Sequence, residues 1–178
     1  MQPETTSRTD LDMDFKTLLL GGGIVTTGLM SGLLYGWSVS VIPGTRRIAA
    51  GNYVDTMQHI NRAIINPAFV IPFMGIPLVL GGAAWMQFRA GDHRKGWLLV
   101  GAAGTYVVGV LGVTIGGNVP LNDALDAFDL RNSSASAVEA RRTSYESPWN
   151  RWHFLRTAAS VGAFALAAAA ALVTTDDA

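Results

Sequence analysis

Gly96–Asn122, GWLLVGAAGTYVVGVLGVTIGGNVPLN, contains no charged residue, and three further stretches share that property: Thr17–Thr45, Ala63–Phe88 and Thr157–Thr175. A helix needs roughly 20 mainly apolar residues to cross a bilayer, and each stretch is about that long or longer. The reading is an all-α chain, a four-helix transmembrane bundle with short interfacial helices in its first and third connections. Its spans fall at about 17–42, 65–88, 96–117 and 154–174, within one membrane domain 16–175 that comes after a flexible tail 1–15.

The rest of the composition agrees. The 178 residues are 49% hydrophobic and 15% charged, with mean hydropathy +0.29. Four spans and their connections consume the chain and leave no room for a separate soluble domain. Basic and acidic residues balance at 13 each, so no basic face points to a nucleic-acid partner. The absence of cysteine removes disulfides, iron–sulfur clusters, thiolate metal sites and a thiol nucleophile. The first span is too long, and its preceding segment too acidic, for a cleaved signal peptide. The densest short-loop basic cluster is Arg89, Arg94 and Lys95. The positive-inside rule then puts that turn and both termini on the cytoplasmic side of the cell membrane.

Glycines at 28, 32 and 36 share one face of the first span, and the third span has Gly101, Gly104, Gly109, Gly112 and Gly116. Small residues let membrane helices approach closely, and the seam leaves homo-oligomerisation open. Pro67 after Asn66 reads as a capped helix start, whereas Pro72 and Pro77 remove donors inside the second span. Val54, Met57 and Ile64 recur at helical spacing in the first connection, with Gln58, His59, Asn61 and Arg62 on its polar positions. In the third connection Pro120 opens a short helix with Leu121, Leu125 and Phe128 on one face, Asn132–Ser136 reads as a flexible tip, and Ser147-Pro148 as a new helix start.

Trp149, Trp152, His153, Arg156 and Ser160 then form one stripe running into the fourth span. Arg156 keeps its charge and is costly near the bilayer, so it snorkels, pairs with Asp123, Asp126 or Glu146, or binds an anion. His59 and His153 lie at span edges on the same side and are candidate acid–base groups. They are also the only pair with a route to a metal or haem, although no His-x-x-x-His or Glu-x-x-His spacing occurs; the expected metal and cofactor content is none. His93, on the opposite side beside Arg94 and Lys95, reads as a solvated turn residue. Helix alternation brings Asn61, Asn66, Asn118 and Asn122 to the same face as His59 and His153, where caps and interhelical bonds compete with ligand binding as their explanation.

Four segments in this order, Tyr35–Gly44 (YGWSVSVIPG), Met57–Pro67 (MQHINRAIINP), Gly117–Asn122 (GNVPLN) and Trp149–Thr157 (WNRWHFLRT), resemble the anthrone oxygenase-like membrane family, also called the DUF1772 family. The resemblance runs from the first span to the last. It implies oxidation of a lipophilic phenolic or anthrone-type aromatic by dioxygen, with His153 or His59 as base and Arg156 holding an anionic oxygen. Asn61, Asn66, Asn118 and Asn122 would line the substrate site, and Trp37, Trp149 and Trp152 would stack on the ring. Many members carry asparagine where His153 stands, so a histidine base there is not a general family feature. The competing reading is a non-catalytic bundle, an accessory subunit or a binder of a small aromatic or quinone-like ligand. There the tryptophans form an interfacial belt against the lipid bilayer and Arg156 neutralises Asp126 or Glu146.

Overall fold

A computed structural model describes residues 8–173. Its helices are α1 (Arg8–Gly36), α2 (Ile42–Thr45), α3 (Ala50–Ala63), α4 (Pro67–Arg89), α5 (His93–Tyr106), α6 (Val119–Asp126) and α7 (Ala135–Leu172). Three π-helical segments interrupt the spans: π1 (Trp37–Val41) joins α1 to α2, while π2 (Val107–Gly112) and π3 (Thr114–Asn118) join α5 to α6. Among the described residues, four stretches are long and apolar enough to cross a membrane: Phe15–Thr45, Pro67–Arg89, His93–Asp126 and Ala135–Leu172. α1 begins at Arg8, inside the segment 1–15 expected as a flexible tail; residues 1–7 and 174–178, which include the expected end of the membrane domain, lie outside the described residues.

The spans close a ring in which α1 packs on α4 and α7, and α5 on α4 and α7. Leu34, Phe73, Ile76, Leu80, Leu99 and Tyr106 fill its centre, with Ala163, Ala167 and Ala170 giving α7 a thin inner face. The close approaches are not where the first-span seam placed them. A Cβ on Gly28 would meet the Phe164 ring at 3.1 Å, but Gly32 and Gly36 face nothing within 4 Å. The tightest contact between spans is Gly109, where a Cβ would come within 2.4 Å of the Ala159 Cβ. A polar clasp joins α1 to α7: Ser31 Oγ donates to the Ser160 carbonyl at 2.8 Å. Gly91, with φ of 81°, ends α4 in the left-handed conformation that glycine adopts without penalty. Asp92 Oδ1 then caps α5 by accepting from the Lys95 N–H at 3.1 Å.

A second core sits at one end of the ring, where α3, α6 and the first half of α7 bury Tyr53, Val54, Met57, Leu125, Tyr145 and Trp149. The amphipathic α3 is thus present, although Gln58, read as polar-facing, is buried and donates to the carbonyls of Leu125 (2.8 Å) and Phe128 (2.9 Å). Burial raises the Tyr53 hydroxyl above its ordinary pKa. Arg142 ties this core to the first span: its guanidinium donates to Glu146 (2.8 Å) and to the carbonyls of Ile48 (2.7 Å) and Arg46 (3.0 Å), and lies 4.6 Å over the Tyr53 ring.

Two expectations for the third connection change. The Asn132–Ser136 tip is tied down: Asn132 Nδ2 donates to Asp129 Oδ2 at 2.7 Å, which together with the Asn132 and Arg131 N–H groups holds the Asp129 carboxyl below its usual pKa. Ser134 caps α7 by accepting from the Ala137 N–H, so α7 starts there and Ser147-Pro148 lies inside it. Proline removes one donor from a helix, and here the surrounding packing carries α7 through the defect. Pro120 falls in the first turn of α6, as expected, and Leu121, Leu125 and Phe128 pack together on the second core, although α6 follows directly on π3.

Candidate functional site

Between the ring and the end core lies a cavity of about 380 Å³, within the size range of small-molecule sites. Phe69, Phe73, Val70 and Met74 of α4 give it an apolar wall; Trp37, Trp149, His153 and Arg156 stand against them. Each π segment accommodates an extra residue per turn, which rotates the next turns of helix by about 100° around the axis. In this way π1 presents Trp37 and Ser38, and π2 and π3 set the face that carries Thr114 and Asn122.

The aromatic floor is a continuous stack. The Trp149 indole lies 5.0 Å from the His153 ring with only 7° between planes, Tyr145 stacks on Trp149 at 6.2 Å, and Trp37 leans in at 6.1 Å. Asn122 fixes this floor with one oxygen, Oδ1, which accepts from Trp149 Nε1 (2.8 Å) and Tyr145 Oη (2.9 Å). That assignment turns the Asn122 amide nitrogen away from both. Asn61 Nδ2 donates to Tyr145 Oη at 3.1 Å and extends the network to α3.

His153 is 1% exposed, and both its ring nitrogens are engaged. Arg156 donates to Nδ1 from Nε (3.3 Å) and lies 3.1 Å from it through Nη2. A guanidinium only donates, so Nδ1 accepts and the ring hydrogen sits on Nε2. From there it reaches the Leu34 carbonyl at 3.1 Å, with Ser38 Oγ at 3.0 Å and Thr157 Oγ1 at 3.3 Å. Neither nitrogen offers a free lone pair to the cavity.

Arg156 itself has no carboxylate partner among the described residues. Asp126 accepts from Arg62 Nε at 2.6 Å, and Glu146 is held by Arg142 at 2.8 Å with Arg46 at 3.9 Å, so neither neutralises Arg156. Its contacts are His153, Thr114 Oγ1 at 3.4 Å, and the Trp149 ring 5.2 Å below Cζ. Taking a cation out of water costs several kcal/mol, whereas a desolvated cation–π contact returns about 2 kcal/mol. The cavity therefore holds a guanidinium outside any ion pair, with Arg62 and Asp126 paired to each other and Asp123 as the remaining charged group of its lining.

A family model described as anthrone oxygenase matches residues 63–166, the segment that supplies α4, the third span and the whole Trp149–Arg156 stripe. The chain belongs to the anthrone oxygenase family. No curated protein and no solved structure matches it.

Within this family member the cavity gathers Trp37, Asn61, Asn122, Trp149, His153 and Arg156 and leaves the other sequence candidates outside. His59 is exposed and its Nδ1 bonds the Asp55 carbonyl at 2.8 Å, so it does not meet His153. Asn66 is a helix cap, accepting from the Phe69 N–H at 3.2 Å. Asn118 is buried and donates to the Trp149 carbonyl at 3.2 Å, which positions α7. Trp152 packs outside against Gly117, where a Cβ would come within 2.5 Å of its ring. Tyr145, Thr114 and Ser38 carry no mark in the sequence pattern that singles them out as site residues. Tyr145 lies four residues before Trp149 on one face of α7, but the helix start read at Ser147-Pro148 separated the two in the sequence; the other two depend on the π turns and had no local signal.

Proposed function

We propose that this chain is a membrane-embedded oxygenase that oxidises a lipophilic phenolic or anthrone-type aromatic with dioxygen, without a metal or organic cofactor. The observation that carries the reading is Arg156, a guanidinium without a carboxylate partner set over a tryptophan in a cavity otherwise walled largely by apolar side chains. A planar aromatic whose oxygen becomes anionic satisfies both groups. Trp37 and Trp149 take the ring, Arg156 and the Asn122 amide take the oxyanion, and exclusion of water strengthens each interaction.

The chemistry needs few further parts. Loss of a proton from the anthrone methylene gives the enolate, dioxygen adds at that carbon to form a hydroperoxide, and loss of water leaves the quinone carbonyl. One dioxygen is consumed; one of its oxygens ends in the product and the other in water. Since both His153 nitrogens are engaged, we assign the proton to Asp123, which lines the same cavity and forms no ion pair among the described residues. His153 then positions Arg156. The reading places the protein in the cell membrane with both termini cytoplasmic.

The test is oxygen uptake by the protein in nanodiscs with an anthrone as substrate. The expected result is one dioxygen consumed per quinone formed, abolished by Arg156→Met and strongly slowed by Asp123→Asn. A second reading, a non-catalytic binder of the same aromatic, is favoured by the engaged His153 ring. Ligand binding that depends on Arg156 without any oxygen uptake would select it and overturn the oxygenase.

A further inference from the structure

A second concavity lies outside the bundle, on a different face of α7 from Trp149 and His153. It is an open groove of about 750 Å³ between the end of α2 and α7. Its polar tier holds Arg46 and Arg151, with Thr143, Ser147 and Asn150 as uncharged hydrogen-bonding groups; its lower tier is Phe154, 70% exposed, and Leu155, 49% exposed. Seven residues separate Ser147 from Phe154, a rise of about 10 Å along the helix. That span bridges the headgroup layer and the top of the hydrocarbon, and the uncharged run of α7 begins just below, at Thr157.

The charge balance of the groove is positive. Its one carboxylate, Glu146, is bound by Arg142 at 2.8 Å, with Arg46 farther at 3.9 Å. Arg46, Arg142 and Arg151 thus face a single carboxylate, which leaves two positive charges in excess among the described residues, with Arg151 outside any ion pair. The main chain that carries Arg46 is anchored to α7, because its carbonyl accepts from Arg142 Nη2 at 3.0 Å.

We infer that this groove binds one anionic phospholipid of the surrounding leaflet. Arg46 and Arg151 hold the phosphate and the net negative headgroup, Ser147 and Asn150 hydrogen-bond its oxygens, and an acyl chain descends over Phe154 and Leu155. A zwitterionic lipid satisfies the same phosphate contacts but brings its own cation against two arginines, so the site selects net charge. This assignment is independent of the chemistry in the cavity.

Native mass spectrometry of the full-length protein, supplied with equal amounts of phosphatidylglycerol and phosphatidylcholine, tests it. The expected result is one retained phosphatidylglycerol, with retention falling by about thirtyfold when two interfacial cations are removed in the double variant Arg46→Gln and Arg151→Gln. Thermal melting in phosphatidylcholine discs checks that this variant folds, and Phe154→Asn with Leu155→Asn probes the apolar tier if it does not. Equal retention of the two lipids by the unaltered protein overturns the inference, as does unchanged phosphatidylglycerol retention in a folded variant of either kind. Stabilisation by inorganic phosphate equal to that by phosphatidylglycerol overturns it too, because the acyl tier would then contribute nothing.

Discussion

Replacing Arg156 by methionine separates a binding role from a structural one, because the two predict opposite signs. Methionine keeps much of the side-chain length and can still cover Trp149, but it removes a cation that pairs with no carboxylate among the described residues. Its hydrogen bonds, 3.1 and 3.3 Å to His153 Nδ1 and 3.4 Å to Thr114, go to neutral acceptors, so less is lost with them than with an ion pair. The desolvation cost of the charge, several kcal/mol, disappears at the same time. The expected effect on folding is therefore neutral to stabilising. For an anionic ligand the loss is a charge-assisted bond of about 1.5–3 kcal/mol, which corresponds to about 10- to 150-fold in Kd. A hydroxyanthraquinone that ionises within an accessible pH range serves as the probe, with quenching of Trp149 and Trp37 fluorescence as the readout. In the unaltered protein, affinity rises with pH as the probe becomes its anion; in Arg156→Met that rise is absent and the melting temperature is not lowered. Equal affinity of both proteins for the ionised probe would refute the argument, and a large drop in melting temperature would show that Arg156 is held by contacts the geometry does not contain.

The same contacts set three further outcomes. His153→Asn retains an acceptor for Arg156 and a donor for Leu34, so probe affinity is expected to stay within about fivefold and without a new pH dependence, whereas His153→Leu loses about tenfold or more; activity that vanishes equally in both would restore the histidine as a base. Arg142→Ala leaves the part-buried Glu146 and two carbonyls without their donor and is expected to cost about 2–4 kcal/mol in denaturant unfolding, with Arg142→Lys failing to rescue it because a point charge cannot span those acceptors. Gly109→Ala pushes a methyl onto Ala159 and should cost about 1–3 kcal/mol, while Gly104→Ala, which meets nothing within 4 Å, is expected to be neutral or to gain up to about 1 kcal/mol; equal melting of the two variants would contradict the packing.

The sequence alone determined the membrane architecture. Four uncharged runs of spanning length have one low-energy solution in a bilayer, since every backbone polar group in hydrocarbon must be paired within its own helix. The amphipathic first connection was legible for a similar reason: α3 buries Val54 and Met57 on the face their spacing marked. Which polar residues meet was not legible, because periodicity assumes 3.6 residues per turn and the three π segments break that count beside the cavity. The length of α7 was also hidden. Ser147-Pro148 carries the local chemistry of a helix start, and only packing of Tyr145 and Trp149 against α3 and α6 keeps the helix continuous through it. The electrostatic character of the site was decided at the same level. Asp123, Asp126 and Glu146 were all plausible partners for Arg156 by membrane side, and the fold gave Asp126 to Arg62 and Glu146 to Arg142. Local patterns record what a helix buries; which charge remains without a partner depends on how separate helices share a few ångströms of space.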